Sequence, residues 1–390
     1  MAARRSRPAV VKRPAQASTV LVLQGGGALG AYQAGVYEGM LEAGIEPDWV
    51  TGVSIGAING AIIAGNAREN RLARLTEFWE RVSSGFSLDV PAPFDLLRLE
   101  FNRWSASASA MFGVPGFFKP RFPSPLLTPS GSPGALSVYD SSPLQGTLRE
   151  LVDFDLINAR KTRLAVGAVE LRDGNSIYFD NQDPDLVFGP QHVMASGALP
   201  PGLPPIRIKD GVYWDGGLVS NSPLWYVLDD GPGLDALILQ VDLFSARGRE
   251  PRNLDEVLER AKDIQYSSKT RFNTSRAKEE EALRNALTHV IAKLPPRLRK
   301  DPQVEVLAER ARGRRISIVH LINRRSAFSS QSKDYEFSRA TVRALWAAGL
   351  ADIRKTLRDP RWRNACSAVS GMRTYDLLPR TVSGRSPNED

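Results

Sequence analysis

Cysteine is almost missing: the 390-residue chain has one, Cys366. A single thiol excludes an internal disulfide framework and any cysteine-based metal cluster, and it fits a reducing compartment. Histidine is scarce as well, with only His192, His289 and His320. No stretch approaches the roughly 20 apolar residues that a membrane-spanning helix needs. Residues 1–18 lack both acidic side chains and an apolar run. With five basic residues they do not read as a secretory signal but as a disordered basic arm. No internal repeat is visible, and no nucleic-acid motif accompanies the basic residues. A hydrophobic content of 42% excludes wholesale disorder. The length implies one large domain with additions, or two domains, because single domains run at roughly 100–200 residues.

The formal charge of +8 is unevenly spread. Residues 19–246 carry 15 basic and 25 acidic side chains, a net −10, whereas residues 247–363 carry 28 basic and 15 acidic, a net +13. The arm adds +5, and residues 364–390 balance. An acidic region beside a basic one points to a basic surface used for a partner. We expect the arm and the basic region to dock on an anionic lipid or membrane surface, and we expect no nucleic-acid partner.

Hydrophobic periodicity divides the chain further. Residues 19–23 (TVLVL) form a short buried strand, Gly25–Gly27 break it, and residues 28–43 have helical spacing. A second strand over 49–53 and a small-residue helix over 55–67 follow, then an amphipathic helix over 70–83. This alternation predicts an α/β fold with a mostly parallel central sheet sandwiched by helices. Residues 85–139 are rich in Pro, Phe, Ser and Gly, the texture of an irregular, lid-like insertion. Its aromatics either face lipid or plug the insertion onto the core. Helical pattern returns at 143–152 and 192–198, and strand pattern at 163–169, 176–179, 212–214 and 234–241. Residues 247–363 read as a basic, mainly helical extension packed on the first region. Within it helical pattern covers 254–294 and 335–357, with a strand over 316–322. Residues 364–390 read as a mobile tail.

Two glycine motifs sit at strand ends. Gly25-Gly26-Gly27-Ala28-Leu29-Gly30 is formally G-x-G-x-x-G. It suits either a dinucleotide pyrophosphate or backbone N–H donation to a developing oxyanion. A dinucleotide site wants an acid at the end of the second strand. This chain has Gly52-Val53-Ser54-Ile55-Gly56 there, a G-x-S-x-G whose glycines permit a sharp nucleophile elbow at Ser54. The serine needs a base. His192 is the one histidine placed to complete a triad, but Asp215-Gly216-Gly217 ends a strand and offers a carboxylate instead.

Taken in order, these three motifs resemble the patatin-like phospholipase family over roughly residues 19–242. The resemblance implies a Ser-Asp dyad in which Ser54 is the nucleophile and Asp215 activates it. It further implies that Gly25, Gly26 and Gly27 form the oxyanion hole, with Gly30, Gly52, Gly56, Gly216 and Gly217 completing the motifs. Residues 195–200 (ASGALP) resemble the family's stretch ahead of the aspartate. Many members carry Arg or Lys after the glycines, where this chain has Ala28 and Leu29. Oxyanion stabilisation would then rest on backbone dipoles. By this resemblance residues 19–246 are the catalytic domain of a cytoplasmic serine lipid acyl hydrolase with peripheral membrane contact. It would cleave fatty-acyl esters of phospholipids or neutral lipids and use no metal or organic cofactor. The competing expectations are a non-catalytic lipid-binding scaffold of the same fold and a dinucleotide-binding oxidoreductase.

Overall fold

Alternation within the first strand sets the two faces of the sheet. In β1 (Ser18–Leu23), Leu21 and Leu23 enter one hydrophobic cluster, while Val20 and Val22 enter another on the opposite face. In this computed structural model the described residues are 18–84, 105–229, 235–267, 270–311, 315–324, 333–362 and 371–378. The basic arm up to residue 17 and residues 85–104 of the insertion lie outside them.

A 3₁₀ turn (Gly27–Gly30) precedes α1 (Ala31–Glu42), so the helix expected from residue 28 starts three residues later. Then come β2 (Trp49–Val53), α2 (Ile55–Ala64) and α3 (Arg68–Val82). β3 (Lys119–Pro120) and β4 (Tyr139–Asp140) make a small antiparallel pair inside the insertion. β5 (Arg163–Glu170), β6 (Ser176–Asp180), β7 (Ile206–Ile208), β8 (Gly211–Asp215), β9 (Ala236–Asp242), β10 (Arg315–Ile322) and β11 (Gly371–Asp376) join β1 and β2 in a nine-stranded sheet. Its order is β11-β10-β9-β1-β2-β5-β8-β7, with β6 also on β5. The pairs from β11 through β5 are parallel, while β6, β7 and β8 join antiparallel.

Two features differ from the sequence reading. The sheet continues past residue 246, because β10 pairs with β9 and β11 pairs with β10. Residues 371–376, expected within a mobile tail, therefore form an edge strand. Its middle residues are polar and exposed, so it lacks the apolar run that marks a buried strand. The helix Arg339–Arg358 also crosses α1 at close range. A Cβ on Gly35 would lie 1.9 Å from the Trp346 carbonyl oxygen, and one on Gly349 would lie 2.0 Å from that of Tyr32. The crossing is held by a Tyr32–Asp352 hydrogen bond of 2.9 Å and an Arg354–Glu42 ion pair.

Candidate active site

Ser54 follows β2 directly and caps α2 with φ 55° and ψ −123°, a conformation that costs a non-glycine residue energy. The flanking glycines make the turn sterically feasible. A Cβ on Gly52 would approach the Gly56 carbonyl at 2.3 Å, and one on Gly56 would approach that of Leu23 at 2.4 Å. The strand-end backbone is tied down by Ser196. The Ser54 N–H donates to Ser196 Oγ and to the Ser196 carbonyl, each at 3.1 Å. The Ser196 hydroxyl in turn donates to the Gly167 carbonyl of β5 at 2.6 Å.

Asp215 reaches the same place from an unexpected direction. A parallel strand would bring it to the common carboxyl edge, but β8 runs antiparallel to β5. Register does the work. Val53 pairs with Gly167 and Asp215 pairs with Ala168, so Asp215 is level with the residue after Val53, which is Ser54. Gly216 permits this approach, since a Cβ there would meet the Gly167 carbonyl at 2.6 Å. The Asp215 carboxylate is 2% exposed and accepts the Gly217 N–H at 2.7 Å. Burial pushes its pKa up from 3.8 to about 7; the hydrogen bonds from Gly217 and from the Ser54 side chain pull against that rise. A carboxyl poised near neutrality can take a proton from a hydroxyl and return it.

The first glycine motif turns over the end of β1, beside the end of β2, where Leu23 pairs with Gly52. Gly27 has φ +54°, and a Cβ there would lie 2.2 Å from the Asp334 carbonyl, so glycine is required on both counts. Gly30 closes the 3₁₀ turn against Ile55. The three glycines are not equivalent. The Gly25 N–H donates to the Asn221 carbonyl at 3.2 Å. Among the described residues the N–H groups of Gly26 and Gly27 have no acceptor. Behind the loop, Gln24 is fully buried and satisfied. Its Oε1 accepts from the backbone of Leu243 and Phe244, and its Nε2 donates to the Tyr266 carbonyl.

Ser54, Asp215, Gly25, Gly26, Gly27 and Gly217 line one cleft of about 690 Å³, including its open mouth. Its walls are largely apolar: Phe117, Phe118 and Tyr139 from the insertion, Leu199 and Leu203 from the proline-rich loop, and Phe244. Among the described residues no group of three His, Cys, Asp or Glu side chains is placed to hold a metal ion. No helix among them is long and apolar enough to cross a membrane.

A family model described as patatin-like phospholipase matches residues 21–228, more than half of the chain. The chain belongs to the patatin-like phospholipase family. A second family model, described as patatin phospholipase, matches residues 264–368. Lysophospholipase nte1 of Aspergillus terreus is 44% identical over 79 residues, which span 20% of this chain and 5% of that relative. Among solved structures, VipD of Legionella pneumophila is similar over 87% of this chain and 66% of its own, at 14% identity and a TM-score of 0.35. A chain of the ExoU–SpcU complex of Pseudomonas aeruginosa is similar over 87% of this chain and 78% of its own, at 17% identity and a TM-score of 0.23.

In this patatin-like chain the histidines stand apart from the cleft. His192, the candidate third member of a triad, is 2% exposed and packs against Phe179 and Phe188. Burial lowers its pKa to about 4, and its Nδ1 accepts the Gly189 N–H at 2.9 Å. His320 is buried within β10, and His289 lies on an exposed helix face. The residues missed from the sequence come from the second matched region. Tyr266, Asp334, Tyr335 and Phe337 close the far side of the cleft. The Asp334 carbonyl also fixes the glycine loop through the Ala28 N–H at 2.9 Å, while Lys262 pairs with its carboxylate at 2.5 Å. No local motif announces them; the one sequence signal is the Tyr-bearing, acid-flanked DYEF at 334–337. Part of the basic surplus is likewise spent internally, since Arg354 pairs with Glu42 and Arg315 with Asp235.

Proposed function

We propose that the chain is a serine lipid acyl hydrolase that cleaves fatty-acyl esters of phospholipids or neutral lipids with a Ser54–Asp215 dyad. The observation that carries this reading is a serine on a strained elbow beside a buried carboxyl of raised pKa, inside an apolar cleft. The aromatic and leucine walls suit an acyl chain. Asp215 takes the proton as Ser54 Oγ bonds to the ester carbonyl carbon. The carbonyl oxygen becomes an oxyanion and is met by the free N–H groups of Gly26 and Gly27, while Gly25 holds the loop against Asn221. Each such donor contributes about 3–4 kcal/mol to the transition state. Collapse breaks the ester C–O bond, and the departing alkoxide takes the proton back from Asp215. Water then repeats the sequence on the acyl-enzyme, releasing the fatty acid and free Ser54. Ala28 and Leu29 are both buried, so charge stabilisation in this scheme is by backbone dipoles.

The basic arm and the basic surface of residues 247–363 supply peripheral contact with anionic lipid in this reading, for a cytoplasmic protein. The test is lipid profiling after incubation of a native lipid extract with the parent protein, Ser54→Ala and Asp215→Ala. Fluorophosphonate labelling mapped by mass spectrometry runs alongside. We expect fatty-acid release by the parent alone and a label on Ser54. A parent protein inert on every acyl ester and unlabelled at Ser54 would instead identify a non-catalytic lipid-binding scaffold.

A further inference from the structure

Two rings in tilted contact along the cleft anchor a hairpin whose tip is turned to solvent. In its stem Lys119 pairs with Asp140 and Pro120 with Tyr139. Phe118, just before the stem, lies 4.6 Å from the Tyr139 ring, and both rings line the cleft that holds Ser54. The return strand is stitched to the opposite wall. Val138 and Tyr139 donate their N–H groups to the Pro201 and Gly202 carbonyls at 3.0 and 2.9 Å. The tip is therefore rooted in the cleft itself.

What the tip presents is unusual for a protein surface. Phe122, Leu126 and Leu127 are 100%, 95% and 79% exposed, and Leu136 is half-exposed. Single exposed apolar residues need no explanation, but four large ones within one fifteen-residue loop do. Residues 122–138 contain no Asp, Glu, Lys or Arg. Of the two cations at the base, Arg121 is turned inward, with its Nε donating to Ser137 Oγ and the Tyr139 carbonyl, and Lys119 pairs with Asp140 in the stem. Four prolines, Pro123, Pro125, Pro129 and Pro133, stiffen the turn. Entering a hydrocarbon layer would thus dehydrate no charge and order little new chain. Exposed Phe112 extends the apolar surface beside Lys119.

We propose that the 122–136 tip inserts into the apolar layer of a lipid surface and seats the cleft mouth on aggregated lipid. A lipid layer fits better than a protein partner because the tip lacks the charged rim that orients protein interfaces. The role toward substrate rests on the hydrolase reading above, but insertion itself requires no turnover.

The experiment uses the full chain carrying Ser54→Ala, with and without Phe122→Ser/Leu126→Ser/Leu127→Ser. Binding to phosphatidylcholine vesicles is measured at high salt, where contacts from the basic arm are screened. The three side chains face solvent, so the fold should survive, which circular dichroism checks. We expect the triple substitution to weaken vesicle binding about tenfold or more. With Ser54 intact, the same triple should lose vesicle hydrolysis but keep turnover of a water-soluble short-chain ester. Equal vesicle binding with and without the tip substitutions overturns the proposal. So does a parent that is a dimer dissolved by the triple, which would assign the tip to a second copy of the chain. A parent inert on esters that still binds vesicles through the tip would sink the hydrolase reading and leave insertion standing.

Discussion

Titration of Asp215 separates the dyad from its rivals, because one group should govern both rate and stability with opposite signs. Burial pushes its carboxyl up from 3.8 to about 7. As the base it must be ionised, so its active fraction falls from about nine-tenths at pH 8 to about one-hundredth at pH 5. kcat/KM for a water-soluble ester should therefore drop roughly a hundredfold over that range in one sigmoidal step. Stability should move the other way. Between about pH 4 and 7 the folded state binds a proton that the unfolded state has lost, so the favourable contribution disappears as pH rises through about 7. At ~1.4 kcal/mol per unit, three units set an upper bound of about 4 kcal/mol. Asp215→Asn cannot titrate. Relative to this variant the parent should lose up to about 4 kcal/mol between pH 4 and pH 8 in urea unfolding. Turnover by Asp215→Asn at the parent rate, or a stability difference that ignores pH, would refute the assignment.

Other consequences follow from single contacts. Ser196→Ala removes the hydroxyl that bridges Ser54 N–H to Gly167. It should lower kcat about tenfold with little change in KM and no shift of the pH midpoint, as expected of a positioning residue. His192→Gln should keep kcat/KM within a few-fold of the parent, because the ring sits among Phe179 and Phe188 rather than in the cleft; a hundredfold loss would restore it as the base. Gly349→Ala places a Cβ against the Tyr32 carbonyl. It should lower stability by about 1–3 kcal/mol or more in urea titrations, through forced separation of two helices.

Local chemistry makes part of the architecture legible in the residues alone. The glycine loop and the elbow are local signals: a β-branched run, glycines, then helical spacing. Both appear at the ends of the strands expected. The irregular texture of residues 85–139 is a matter of composition, but where their aromatics sit is not legible there. Phe117 and Phe118 are buried against the core, and Phe122 is bare. The tail strand at 371–376 escapes recognition because an edge strand with a polar middle carries no apolar run.

By itself the sequence determined the family, the strand–glycine–helix order at Ser54 and the identity of the carboxylate that could serve it, since each is written in contiguous residues with strong local preferences. Tertiary structure decided the rest. The antiparallel entry of β8, and the register that sets Asp215 level with Ser54, are choices of pairing between strands far apart in the chain, which no local pattern encodes. Burial, which gives Asp215 its raised pKa, exists only once those strands and the distant Tyr266 and Tyr335 walls have closed around it.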